Sequence, residues 1–233
     1  MNKKIGVAFD LEGTVIDVEE CHHLAHLKIA KQLGLNLSVS DAIEKIEHFI
    51  GGPDILIMEE ILVLSGKSGN SEQLLQEDNK LYKEFLSTAV IKTREGFREC
   101  LEELKKNEIA LSVGSLSSKD EATYLMRCSG LNKLIPSANI VYRESVKHLK
   151  PAQDVFLETA QRMGIDLANQ IVFEDSPRGV MSAVNAGSKM VIGMPVYNWP
   201  ATRNALQIAG AKYIFGSWKE VNIYAIIKEL NSL

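Results

Sequence analysis

The stretch Ile5-Gly6-Val7-Ala8-Phe9-Asp10-Leu11-Glu12-Gly13-Thr14 begins as an apolar run and ends abruptly in an acid. Such a run reads as a buried strand that delivers a carboxylate to its carboxyl end. Glu12 follows two residues later, so both carboxylates project near one edge of a sheet. Gly13 then permits a tight turn. Two acids crowded this way repel unless a cation or a shared proton relieves them, which marks the stretch as a place for chemistry.

Beyond it the texture changes. Leu24, Leu27, Ile29, Ala30 and Leu33 approximate helical spacing, ended by Gly34. Asp41 to Phe49 predicts a second helix stopped by Gly51-Gly52-Pro53, and Asp54 to Leu64 a third. Ser71 is the expected N-cap of a fourth, with Leu74, Leu75, Leu81, Tyr82 and Phe85 on its apolar side. Helices without an intervening strand imply a helical insert over residues 17–91. From Arg94 strands and helices alternate, with strands expected at 109–113, 140–141, 171–173, 190–192 and 213–215. That alternation predicts an α/β core, residues 1–16 and 92–233, built on a mainly parallel sheet. Ligands of such sheets bind beyond the carboxyl ends of the strands. Asp10, Ser115, Lys150 and Glu174-Asp175 all fall at that edge.

The composition excludes several classes. With 233 residues, 45% hydrophobic and 24% charged, the chain has ordinary globular makeup and length for a substantial core. Its net charge of -4 and scattered Lys and Arg argue against a nucleic-acid partner. The apolar run after Lys3 and Lys4 is too short for a signal-peptide core, and no stretch approaches bilayer length. Cys21, Cys100 and Cys128 fit reduced thiols better than a disulfide framework, so a cytoplasmic protein without membrane association is expected.

The ordered elements resemble the haloacid dehalogenase superfamily of phosphotransferases. Its first motif is matched by Asp10-Leu11-Glu12-Gly13-Thr14, and its second, a Ser or Thr after a strand, by Ser115 in Val113-Gly114-Ser115-Leu116. Ser112, inside the strand, is the weaker candidate for that role. The third motif is matched by Lys150 before Pro151, and the fourth by Glu174-Asp175 before Ser176-Pro177-Arg178-Gly179. Four motifs in order, each in its strand context, are far more specific than any one alone. The resemblance implies a Rossmann-like core with an inserted helical cap. It implies Asp10 as nucleophile toward phosphorus, and Mg²⁺ held by Asp10, the Glu12 backbone carbonyl and Asp175, with Glu174 in direct or water-mediated contact. Ser115 and the backbone around Gly114 and Leu116 would hold phosphoryl oxygens, and Lys150 would neutralise the transferring group.

The stretch from Val15 to His22 resembles the beta-phosphoglucomutase and phosphoglycolate-phosphatase-like branch. There, His22 and the Gly51-Gly52 loop of the cap would approach the substrate; a helix-surface histidine is the alternative for His22. Glu12 departs from the superfamily's usual second Asp, which passes a proton to the leaving oxygen, and matches the variant seen in its enolase-phosphatases. The implied activity is a Mg²⁺-dependent phosphatase of a small phosphorylated metabolite, as a monomer or homodimer. A phosphosugar mutase is the alternative, opposed by the lack of any arginine before Arg94 to grip a second phosphate. A dehalogenase would lack the acidic cluster, and a binding module with a defective acid is the non-enzymatic reading.

Other signals carry less. His22 and His26 share a helix face, but no third zinc ligand is evident. Gly66-Lys67-Ser68 imitates the end of a P-loop, yet Ile61 stands where its first Gly belongs. Met58, Met126, Met163 and Met181 read as core filler.

Overall fold

In the computed structural model, which describes residues 4–232, β1 (Gly6–Phe9) is buried along its whole length. The chain then leaves the sheet for α1 (Glu19–Gln32), α2 (Val39–Lys45), α3 (Asp54–Ser65) and α4 (Ser71–Thr88). It returns through α5 (Phe97–Lys106), β2 (Ala110–Gly114), α6 (Lys119–Cys128), β3 (Ile140–Val141), α7 (Asp154–Met163) and β4 (Gln170–Glu174). The last elements are α8 (Pro177–Ala186), β5 (Met190–Gly193), α9 (Pro200–Ala209), β6 (Tyr213–Ile214) and α10 (Ile223–Ser232). Two compact units result: Val18–Val90, and the residues up to Asp17 with those from Ile91 onward.

The α/β expectation is borne out. The sheet order is β3-β2-β1-β4-β5-β6, and every adjacent pair is parallel. Order reverses on leaving β1, because β2 lies on one side of it and β4 on the other. Such a switch point opens a crevice at the carboxyl ends of the strands, here directly beyond Phe9. On one face Ala8, Val172 and Val191 pack against Val155, Phe156, Val180 and Ala183. Elsewhere in the core an aromatic group forms: Phe9 meets Phe97 edge-on at 5.2 Å, and Trp218 lies 4.7 Å from Phe173. These rings hold the β1 and β4 ends as one rigid floor.

In the helical unit, Ile29, Ala42, Ile46, Phe49, Ile57, Met58 and Ile61 form the core. Three details differ from the spacing-based expectation. Ile29 and Ala30 are buried as expected, but Leu24 is exposed, and the buried face of α1 also carries Cys21, His23, Ala25 and His26. The second helix ends at Lys45 rather than Phe49, because Ile46 turns extended, and it begins early on a Ser38–Asp41 capping box. The cap of α4 is Asn70, not Ser71; its side chain accepts from the Gln73 amide at 3.0 Å.

His23 supplies a test of this burial. Desolvation, then the neighbouring His26 and His22, lower its pKa to about 3, and its ring stacks on Phe49 at 4.8 Å. The unfolded chain therefore binds a proton that the folded unit refuses, and stability falls as pH drops below about 6.5 toward 3. Between pH 7 and pH 4 this amounts to about 3 kcal/mol. Urea unfolding at both pH values should show a pH dependence smaller by that amount in His23→Gln; an equal dependence would exclude His23 as its source.

Candidate active site

Five elements deliver the site. The Asp10 amide donates to the Phe173 carbonyl at 3.0 Å, so the first residue beyond β1 still rides on β4. The chain then folds back: Gly13 takes φ 76°, a region open to glycine, and its amide donates to the Ile16 carbonyl at 2.9 Å.

Lys150, on the loop before α7, reaches the switch point. Its Nζ donates to Asp10 Oδ1 and Glu174 Oε1, each at 2.5 Å, and approaches the Gly114 carbonyl at 3.4 Å. The ends of β1, β2 and β4 are thereby joined through one ammonium. Arg178 holds the Lys150 carbonyl at 2.7 Å. Glu174 lies one residue further into the sheet than the sequence implies, as the last residue of β4, and is fully buried. Its second oxygen accepts from the Ser176 amide and hydroxyl, both at 3.1 Å. Glycine at 179 leaves room for that carboxylate, since a Cβ there would lie 1.8 Å from Glu174 Oε1 and displace it. Thr14 donates its hydroxyl to Asp175 Oδ1 at 3.1 Å.

Asp10, Glu174 and Asp175 are all buried, and one oxygen from each lies within 4.8 Å of the others. Burial pushes the Asp10 carboxyl well above the usual range; Lys150 opposes this, and Glu174 and Glu12 add to it. Burial also works against the Lys150 ammonium, but Asp10 and Glu174 outweigh it and raise its pKa. One ammonium against three carboxylates leaves a place for a divalent cation, and an all-oxygen donor set suits a hard one. The residues present fit that group.

On the β2 side, the Ser115 amide donates to the Val141 carbonyl at 3.0 Å, fixing the Gly114-Ser115-Leu116 turn. Its hydroxyl donates to Ser117 Oγ at 2.9 Å, and the Ser117 hydroxyl donates to the Glu12 carboxylate. Sequence reading missed Ser117, whose only signal is its place two residues beyond Ser115. Ser112 is committed to the Asn139 carbonyl at 2.6 Å inside β2.

His22, Gly51 and Gly52 lie in the helical unit, where they line a cavity of about 80 Å³ with Glu19, His26 and Asp54. His22 stacks on Tyr82 at 3.7 Å, and His26 Nδ1 is bound to the buried Asp78 at 2.8 Å. Those contacts account for the histidines that invited a zinc reading. Among the described residues, the other convergence of metal-binding side chains is Glu47, His48 and Glu60, where Glu60 ties His48 to α3 at 2.5 Å.

Residues 7–192 match the family model of the haloacid dehalogenase-like hydrolases. The chain belongs to that family. As a haloacid dehalogenase-like hydrolase it is an enzyme, of the branch that holds beta-phosphoglucomutase-like proteins and small-molecule phosphatases. It is 29% identical over 194 residues to fructose-1-phosphate phosphatase YqaB of Escherichia coli, covering 80% of this chain and 94% of that one. It is 27% identical over 188 residues to a phosphorylated carbohydrates phosphatase of Thermotoga maritima, covering 81% and 84%. In fold it matches a haloacid dehalogenase-like protein from Agrobacterium tumefaciens with a TM-score of 0.84 at 23% identity, covering 97% of this chain and 99% of that one. No helix of the described residues is long and apolar enough to cross a membrane.

Proposed function

We propose that this hydrolase is a Mg²⁺-dependent phosphatase of a small phosphorylated metabolite, a sugar or polyol monophosphate, working through a phosphoryl group carried on Asp10. The reading rests above all on the Lys150 ammonium lying 2.5 Å from both Asp10 and Glu174, with Asp175 alongside. Lys150 occupies Asp10 Oδ1 and leaves Oδ2 for attack on phosphorus. As the Asp10–phosphorus bond forms and the ester bond breaks, Glu12 gives its proton to the leaving oxygen. Glu12 then takes a proton from water, whose oxygen attacks phosphorus and releases Asp10. Ser115 and the amides beside Gly114 and Leu116 hold the phosphoryl oxygens, and Lys150 offsets their charge. Asp10, the Glu12 carbonyl and Asp175, with Glu174 in direct or water-mediated contact, would hold Mg²⁺, which would supply charge neutralisation for the carboxylates and the phosphoryl group. The helical unit is the cap, with His22, Gly51 and Gly52 as its substrate-facing residues.

Phosphate release from a panel of sugar and polyol phosphates tests this. Release should require Mg²⁺ and stop with EDTA; no release from any member, or release indifferent to metal, would sink it. A sugar monophosphate supplied with its bisphosphate separates the mutase alternative, which requires isomer to form faster than free phosphate.

Glu12 is engaged by the Ser117 hydroxyl, so its extra methylene has a matched partner. Glu12→Asp should therefore lower kcat by about tenfold or more, as small displacements of a proton-transfer group do. Glu12→Gln should lower it by about 10² to 10⁴. An aspartate variant as fast as the parent would show that the longer side chain is not positioned for this step.

A further inference from the structure

Arg94 has no part in the chemistry above, yet its guanidinium reaches four backbone carbonyls. Nη1 donates to Gly13 at 2.6 Å and Met194 at 2.5 Å; Nη2 donates to Pro195 at 3.0 Å and Gly216 at 3.4 Å. The acceptors belong to the loops that follow β1, β5 and β6, at the edge where the site lies. The Arg94 amide adds a bond to the Val15 carbonyl at 2.8 Å. Between these, the buried Trp218 donates its indole N–H to the Thr14 carbonyl at 2.9 Å. Three successive carbonyls, Gly13, Thr14 and Val15, are thus each held by Arg94 or Trp218.

The consequence for the site follows from peptide geometry. The peptide bond is planar and trans, so the Glu12 carbonyl points opposite to the Gly13 amide, which is bound to Ile16. The other side of Gly13 would be the loosest point of the loop, because glycine restricts its own backbone least. Arg94 holds that side by its carbonyl. Thr14, clamped next, carries the hydroxyl that meets Asp175. The second branch of the guanidinium reaches the loop after β5, where the Met194 amide is bound to the Glu174 carbonyl at 2.7 Å. A planar fork of donors suits this many fixed acceptors; the ammonium of a lysine does not reproduce it.

We propose that Arg94, assisted by Trp218, is a positioning residue: by locking peptides 13–15 it holds the Glu12 carbonyl and Asp175 in the arrangement that binds the divalent cation. The kinetic part of this rests on the phosphatase reading. The variants are Arg94→Met, Arg94→Lys and Trp218→Phe. Metal-free hydrogen exchange over residues 10–14 and calorimetric Mg²⁺ titration are measured together with kcat, KM and Tm. In Arg94→Met the segment should exchange about tenfold faster. Its Mg²⁺ Kd should rise about tenfold and its kcat fall by about 10- to 100-fold, with KM within about twofold of the parent. Arg94→Lys should recover part of the loss, and Trp218→Phe should show a smaller change in the same direction.

A folded Arg94→Met with parental Mg²⁺ affinity and kcat overturns the proposal, and so does a loss confined to KM. If Arg94→Met does not fold, Trp218→Phe decides, and parental exchange and Mg²⁺ affinity in it overturn the proposal. A parent protein that binds no Mg²⁺ overturns it together with the metal reading. A parent that binds Mg²⁺ and releases no phosphate refutes the phosphatase reading alone, since the titrations still compare parent and variant.

Discussion

Asp10→Asn should eliminate phosphate release, with kcat falling by a factor on the order of 10⁴ or more, as expected when a nucleophile is removed from a cooperating set. The amide keeps the shape of the carboxylate and an oxygen for Lys150, so the fold should survive. Its effect on stability should run opposite to its effect on rate. In metal-free protein the Asp10 carboxyl is pushed well above its ordinary pKa by burial, against the pull of Lys150, with Glu174 and Glu12 adding repulsion. A neutral amide removes that conflict. Calorimetry in EDTA should find the variant at least as stable as the parent, while in Mg²⁺ the parent should gain more. Appreciable turnover by a folded Asp10→Asn would remove Asp10 from its role.

Lys150→Met should damage both rate and stability. The ammonium is buried at 7% exposure and lies between Asp10 and the wholly buried Glu174. Removing one partner of a buried charge group leaves the others uncompensated, at about 3–5 kcal/mol. Losing a preorganised cation beside the transferring phosphoryl group should lower kcat by about 10² to 10³. The two losses should separate in the double variant with Glu174→Gln. Removing the stranded carboxylate should restore much of the stability while activity stays low. Urea unfolding in EDTA gives the first quantity and phosphate release in Mg²⁺ the second. Equal destabilisation in both backgrounds would mean that Lys150 and Glu174 are not energetically coupled.

Each departure from the local pattern has its own physical cause. On α1 the stripe of Leu27, Ile29, Ala30 and Leu33 does face the core, but Leu24 lies outside it and the buried face also takes in His23 and His26. Hydrophobicity alone does not anticipate a buried imidazole, and His26 is satisfied by Asp78, 52 positions away. Asn70 and Ser71 are equally good caps by type, and only the backbone angles choose between such neighbours. The local pattern places Glu174 just past its strand, whereas its burial and its bonds to Lys150 and Ser176 make it part of the floor.

By itself the sequence determined the α/β class, the strands to within a residue at their ends, and the ordered elements at Asp10, Ser115, Lys150 and Glu174-Asp175. Each is a local signal: an apolar run, the residue that ends it, and the turn that follows. The tertiary structure alone decided which of those groups touch. Placing β1 between β2 and β4 sets Lys150 across both Asp10 and Glu174, and brings Ser117 to Glu12. It likewise brings Arg94 to Gly13 and Trp218 to Thr14, the latter across 204 positions of chain. Such contacts pair side chains with backbone carbonyls, which every residue carries, so nothing in the local pattern marks the partner.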